Sequence, residues 1–342
     1  MYKLLLILSG EHQTLPAAEV KATLEAEECS FNVSELNPPI MVIELNNLEV
    51  CRTLEKRLAM TLEGMVLLFK CEVDVNAIEK LLKDLDLSFL ENKSIAVRVS
   101  KKTSCEDVKP MELEKRLGAI ILRLAKNVKV NLRRPDVTFR GLVSRYFYFG
   151  VKAFEVNRGL YDLRRPRYRP FFHPGSLEPR MSRVFVNLAR SRKGSIFLDP
   201  FNGTGGLSIE ASMIGCQVIG LDIDDRMCHG ALNNMKVFNC NPLGVIRGDA
   251  RKLPIAVGSV DSIATDPPYG RSTSLKKALL GDLLNDFLNQ AEELLKRGRY
   301  LCFAHPSWHI DLKIPSGMVL VEQHEVRVHK SLTRKITILR RV

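Results

Sequence analysis

Four acidic residues, Asp199, Asp222, Asp249 and Asp266, each close a short apolar run in the C-terminal half of a 342-residue chain. The last opens the segment Asp266-Pro267-Pro268-Tyr269-Gly270, which has the residue types to activate a weak nitrogen nucleophile. An exocyclic amine on an aromatic ring reacts poorly because its lone pair is delocalised into the ring. A carboxylate and a carbonyl that accept its two N–H groups pyramidalise the nitrogen and free the lone pair. They also stabilise the positive charge that develops as a methyl group is added. Asp266 and the carbonyl of Pro267 are the candidates for these roles, and Asp266 is also the candidate proton acceptor. Consecutive Pro267 and Pro268 make the loop stiff, and fixed positioning contributes several kcal/mol to such a transfer. Tyr269 offers a flat face on which a base could stack. An ordinary turn explains the prolines and the glycine, but not the Asp with the Tyr.

The other three acids lie where a ligand of an open α/β sheet binds, at the carboxyl ends of strands. Asp199 begins Asp199-Pro200-Phe201-Asn202-Gly203-Thr204-Gly205-Gly206, a glycine-rich turn that lets backbone approach a ligand. The turn lacks the spacing of a dinucleotide fingerprint and the Gly-Lys-Ser/Thr of a phosphate loop. Asp222 follows Gly203 by nineteen residues, the place for a carboxylate that holds ribose hydroxyls. This suits NAD and S-adenosylmethionine equally. Asp249, between Gly248 and Ala250, has the chemistry to accept a hydrogen bond from an adenine amine, although the triplet alone reads as a turn.

Several other chemistries are disfavoured. Methylation of a pyrimidine carbon needs a cysteine nucleophile, and no cysteine lies at the Asp266 loop; Cys302 is on the following strand. A dehydrogenase needs a proton-transferring His or Lys in the cleft, and no such constellation stands out. The eight cysteines contain no CxxC pair, so neither a zinc site nor a disulfide framework is expected. Reduced thiols in a cytoplasmic protein are the expectation, with no metal.

The elements that must position the four acids read as alternating strands and helices from about residue 195. Ile196–Asp199, Val218–Asp222, 244–247, Ser262–Thr265 and Tyr300–Ala304 are of strand length. A parallel sheet with helices on both faces follows from this alternation. Val319–Val328 and Thr333–Arg341 are expected as an antiparallel pair at its edge. Upstream, the strands 95–99, 128–132, 137–139 and 146–154 surround a helix starting at Pro110. That helix carries an apolar stripe of Leu113, Leu117, Ile120, Ile121 and Leu124. The expected divisions are an α+β region over 1–92, a second region over 93–155, an Arg/Pro-rich linker over 156–180, and the α/β domain over 181–342. Met1–Ser9 reads as a first strand, because its apolar run is too short for a signal peptide.

The net charge of +12 is unevenly placed. Residues 1–92 carry 8 basic and 16 acidic side chains, residues 93–195 carry 25 and 8, and residues 196–342 carry 18 and 15. A concentrated basic segment is the footprint of a phosphate-binding surface. Arg98, Lys101, Lys102, Arg133, Arg134, Arg140 and Arg145, interleaved with the expected strands, are the candidate nucleic-acid contacts.

The ordered motifs DPFNGTGG, LDID, GDA and DPPYG make residues 165–342 similar to class I amino-methyltransferases. The segment 165–192, RPRYRPFFHPGSLEPRMSRVFVNLARSR, resembles the lead-in of RNA methyltransferases that carry a THUMP domain. By that resemblance residues 93–155 are the RNA-binding THUMP domain and residues 1–92 its ferredoxin-like companion. The pattern is most similar to the archaeal tRNA guanosine 2-amino methyltransferases acting at position ten. The resemblance implies a Rossmann-like, mostly parallel seven-stranded sheet, S-adenosyl-L-methionine as cofactor, tRNA as substrate, and in some relatives a small zinc-binding activator subunit. It places His173, Asp199, Pro200, Phe201, Gly203, Thr204, Gly205, Asp222, Ile223, Asp249, Ala250 and Asp266 at the cofactor, and Asp266, Pro267, Pro268 and Tyr269 in the catalytic loop. Sister activity on a guanosine at position six or on ribosomal RNA shares these motifs. DNA adenine methyltransferases more often have Asn in place of Asp266. A tRNA-binding protein without catalysis is the alternative of a different class, and the intact loop and turn argue against it.

Overall fold

A computed structural model describes residues 1–102, 109–269, 277–308, 310–329 and 332–342. Gly270, the last residue of the proline-rich motif, lies outside the described residues. The chain forms two compact units: Met1–Leu8, Ser30–Glu55 and Thr61–Val156 make the first, and Ser9–Cys29, Lys56–Met60 and Asn157–Val342 the second. In chain order the first 156 residues give β1 (Tyr2–Leu8), α1 (Leu15–Ala26), β2 (Phe31–Asn37), β3 (Ile40–Leu45), α2 (Val50–Arg57), β4 (Thr61–Cys71), α3 (Val75–Lys83), β5 (Ser94–Lys101), α4 (Pro110–Leu124), β6 (Lys129–Val130), β7 (Val137–Val143) and β8 (Phe147–Glu155).

The first unit is built on one eight-stranded sheet, ordered β2-β3-β1-β4-β8-β7-β5-β6. The expected boundary at residue 92 falls within this sheet, because β4 before it and β5 after it are joined through β8 and β7. Alternation along β5 sends Ile95, Val97 and Val99 to one face. There they pack with Phe139, Phe147 and Phe149 and with Leu113, Leu117, Ile120 and Ile121 of α4. Leu124, expected on this stripe, is 46% exposed, as it ends the helix. Pro110 at the start of α4 costs no hydrogen bond there, since a first-turn N–H has no partner within the helix.

The second unit contains β9 (Ile196–Asp199), β10 (Gln217–Asp222), β11 (Gly244–Arg247), β12 (Val260–Thr265), β13 (Leu295–Pro306), β14 (Met318–His329) and β15 (Leu332–Arg341). They form a seven-stranded sheet, ordered β11-β10-β9-β12-β13-β15-β14, in which β15 runs against its neighbours. This is the mostly parallel, Rossmann-like seven-stranded sheet expected from the sequence, with the two last strands at its edge. Its helices are α5 (Gly159–Asp162), α6 (Pro179–Leu188), α7 (Gly206–Met213), α8 (Asp225–Val237) and α9 (Lys277–Leu294). Leu198, Leu221, Ile263, Phe287, Leu301 and Phe303 belong to one buried cluster between sheet and helix.

The second unit also takes in α1, against the simple division by sequence. Glu19 of α1 is fully buried and its carboxylate accepts the N–H groups of Ala59 and Met60 and the side-chain amide of Asn187 on α6. Arg57 is held by Asn187 Oδ1, the Ser191 carbonyl and Glu27. Buried charge is tolerated only where every partner is present, so α1, residues 56–60 and α6 must fold together. Residues 156–180 are likewise docked: Arg164 pairs with the buried Glu210 of α7 at 2.7 Å, and Arg169 is 5% exposed.

Candidate active site

The sheet places the acids at one edge. Asp199 ends β9, Asp222 ends β10 beside it, Asp266 follows β12 on the other flank of β9, and Asp249 lies two residues beyond β11. The chain then turns sharply after Asp199. Gly203 and Gly205 have φ of +51° and +79°, which a side chain would strain. A Cβ on Gly205 would also approach the Cβ of Ala231 on α8 to 3.2 Å.

Asp199 is 1% exposed. Its Oδ1 accepts the Thr265 hydroxyl at 2.7 Å and the Phe201 N–H at 3.2 Å, while Oδ2 is buried without a partner. Burial pushes its pKa up to about 7, against the two hydrogen bonds and with a further push from the neighbouring Asp222 and Asp266. Asp222 accepts the N–H groups of Gly203 at 2.8 Å and Asp224 at 3.0 Å, thereby closing the glycine turn onto β10. Its pKa is also raised by burial. Next to it, Ile223 is 66% exposed, a free apolar surface at the strand end. Asp249 is engaged by the backbone N–H and guanidinium of Arg251, which hold its carboxyl below the usual range, and Ala250 is buried.

The catalytic-loop residues form a compact polar group. Tyr269 donates its hydroxyl hydrogen to Asp266 Oδ1. Arg334 of β15 reaches both: Nη2 to Asp266 Oδ2 at 3.1 Å and Nε to the Tyr269 oxygen at 2.7 Å. Its guanidinium carbon lies 5.4 Å from the Tyr269 ring centroid. Burial raises the pKa of Asp266, while the Arg334 charge and the Tyr269 hydroxyl oppose it. Tyr269, expected to present its face to a base, is tied by its hydroxyl into this group, because a phenol drawn partly out of water needs a hydrogen-bond partner. Pro267 is buried and Pro268 partly so.

Some expected residues are placed differently. The His173 side chain is exposed, with only the Gly175 N–H at its Nδ1. The contact to the glycine turn comes instead from Ser176, whose hydroxyl meets that of Thr204 at 2.9 Å. Asn234 of α8 accepts the Phe171 N–H and donates to the carbonyls of Phe171 and Thr204. A Cβ on Gly230 would sit 2.0 Å from the Phe171 ring, so the ring occupies the space that a side chain at this turn of α8 would need. Thr265, Ser176, Phe171, Asn234 and Arg334 were not singled out from sequence. Arg334 had one signal: it is in phase with the inward-facing Ile336 and Ile338 of β15.

In the first unit, Lys102, Arg133, Arg134 and Arg145 are exposed, while Arg98 and Lys101 are partly so. Arg133 and Arg134 stand on a turn held by Asn131, whose Oδ1 accepts both N–H groups. Arg140 differs from the rest: it is committed to Glu63 on β4 in a mostly buried ion pair.

The chain matches the family model described as RMKL-like, methyltransferase domain over residues 166–336. It is 35% identical to the tRNA (guanine(10)-N2)-dimethyltransferase of Methanothermobacter thermautotrophicus, over 99% of this chain and 100% of that one. It is 34% identical to the enzyme of the same name from Methanocaldococcus jannaschii, over 98% and 99% of the two chains. The fold is similar to that of TrmN from Thermus thermophilus, with a TM-score of 0.56 at 21% identity over 99% of this chain and 100% of that one.

Proposed function

The chain belongs to the RMKL-like methyltransferase family, among the archaeal tRNA (guanine(10)-N2)-dimethyltransferases, and on that premise we propose how its own residues methylate the 2-amino group of guanosine ten in tRNA. It is an S-adenosylmethionine-dependent enzyme of the tRNA (guanine-N2)-methyltransferase type. One and then two methyl groups are added to the same nitrogen.

The residues at the sheet edge fit the cofactor. Three carboxylates, Asp199, Asp222 and Asp266, raise one another's pKa or are raised by burial, so the site favours a cation. A pyrophosphate would meet repulsion there. The orphaned Oδ2 of Asp199 suits an ammonium, Gly203 leaves open space where a side chain would stand, and exposed Ile223 suits a purine face. Asp199, Gly203, Thr204, Gly205, Asp222, Ile223 and Ala250 would hold the group, with Pro200 and Phe201 shaping the turn. Asp249 takes part if it yields one oxygen from Arg251. His173 serves through its backbone, which positions Ser176 at Thr204.

S-adenosylmethionine, when bound, supplies a methyl group that leaves its sulfur as the guanine nitrogen's lone pair forms the new C–N bond. In the first transfer Asp266 accepts one N–H of the amine and the Pro267 carbonyl accepts the other; in the second, Asp266 accepts the single N–H that remains. Asp266 then takes the proton released from nitrogen, directly or through water. Pro267 and Pro268 keep the two acceptors at a fixed spacing. The exposed cations Lys102, Arg133, Arg134 and Arg145, with Arg98 and Lys101, are the proposed tRNA surface of the first unit, whose later strands we read as the THUMP domain. Arg140 supports that surface through Glu63 and contributes little free charge.

We extend the reading to a cytoplasmic location and to association with a small zinc-binding activator subunit. Among the described residues no helix is long and apolar enough to cross a membrane.

The observation that carries the proposal is the half-buried, arginine-paired Asp266 beside the carboxylate-lined turn. Asp266→Asn should slow labelled methyl transfer to tRNA by about 10²–10³-fold, with tRNA and cofactor affinity within about twofold. An asparagine variant that transfers methyl at the native rate would remove Asp266 from this role.

A further inference from the structure

Arg334 lies 68 residues along the chain from Asp266, yet its side chain is the group that ties Asp266 and Tyr269 together. It is 8% exposed. An arginine is buried only where it is paired, and here the pairing is split. One guanidinium nitrogen takes a single oxygen of the carboxylate and another takes the phenol oxygen. Asp266 Oδ1 is then left with Tyr269 as its hydrogen-bond donor. A hydroxyl donor at that oxygen occupies the place that an amine N–H needs.

We propose that Arg334 is a positioning residue for methyl transfer: it fixes Asp266 through Oδ2 so that Oδ1 faces the target amine, and it holds Tyr269 as a removable donor that yields Oδ1 when the base enters. This rests on the reading of Asp266 as the acceptor of the amine. It adds a role for a strand at the far side of β13 that no motif marks. The geometry also explains why a fork is needed. A lysine ammonium has the charge but cannot hold a carboxylate and a phenol in one plane.

Among the described residues, the groups facing Asp266 are Arg334 from β15, Tyr269 from its own loop, Asp199 from β9 and the neutral thiol of Cys302 from β13. Among these named groups Arg334 supplies the positive charge, against a half-buried carboxylate and its acidic neighbour. Removing it raises the pH at which Asp266 becomes a carboxylate able to accept the amine.

The test measures single-turnover methyl transfer to tRNA from pH 6 to 9, with tRNA and cofactor binding measured separately, for the native enzyme, Asp266→Asn, Arg334→Gln and Arg334→Lys. Arg334→Gln should transfer about 10²-fold more slowly at pH 7, recover part of its rate at alkaline pH, and bind both ligands within about twofold of native. Arg334→Lys should keep the native pH midpoint and lose about tenfold in rate. A native rate and midpoint in Arg334→Gln would overturn the proposal, even with Asp266→Asn inactive. If the glutamine variant does not fold, a lysine variant indistinguishable from native overturns it equally. An active Asp266→Asn would instead sink the reading beneath it.

Discussion

Asp199 shows how a binding residue is held ready at a cost to the fold. Its folded pKa of about 7 stands above the 3.8 of a free aspartate, with burial the main cause. Ionised Asp199 therefore destabilises the fold, the penalty grows as pH rises from about 4 to 7, and it stays constant above that. Asp199→Asn preserves the Oδ1 that accepts Thr265 and Phe201 and puts an amide where Oδ2 has no partner. The ligand-free variant should therefore be more stable than native by on the order of a few kcal/mol at pH 8. The difference should vanish near pH 4, and cofactor binding should weaken. Thermal denaturation across pH checks this, and a variant whose advantage over native is no larger at pH 8 than at pH 4 would contradict it. The acids themselves were legible, because a carboxylate closing an apolar run needs only local sequence. Arg334 and the orphaned oxygen of Asp199 were not. Both depend on which strands become neighbours, and β15 reaches Asp266 only because it inserts between β13 and β14.

At the scale of elements, the strand–helix alternation from residue 195 and the antiparallel closing pair were readable from periodicity and turn residues alone. The Arg/Pro-rich stretch was not readable as a docked segment. Its role depends on Asn234, which sits on α8 more than sixty residues away and ties Phe171 to the Thr204 carbonyl. One side chain thus fixes the stretch to the glycine turn. Asn234→Ala removes three hydrogen bonds and leaves buried carbonyls unpaired, a loss of about 2–3 kcal/mol. The expected outcome is a lower melting temperature and a roughly tenfold higher KM for S-adenosylmethionine, with little change in tRNA affinity. Calorimetry and steady-state kinetics read the two effects. Unchanged cofactor KM in the alanine variant would separate this stretch from the cofactor turn.

For the whole molecule, sequence gave the class of chemistry and the basic segment more surely than the partition of the chain. The charge count marked residues 93–195 as the cationic segment. The same count could not reveal that Arg140 is used within the first unit by Glu63, or that α1 folds with the second unit through Glu19. Such ion pairs and buried hydrogen bonds join residues far apart in sequence, and no local pattern encodes them. The central claim is that the Asp266 loop methylates one particular nitrogen on one particular base. It is tested most directly by mass spectrometry of position-resolved tRNA fragments after incubation with labelled S-adenosylmethionine, on a native transcript and on one with adenosine at position ten. The account predicts N2-methylguanosine followed by N2,N2-dimethylguanosine at position ten of the native transcript and no label at that position in the other. Equal labelling of both transcripts, or label on a ring carbon or ring nitrogen, would contradict it.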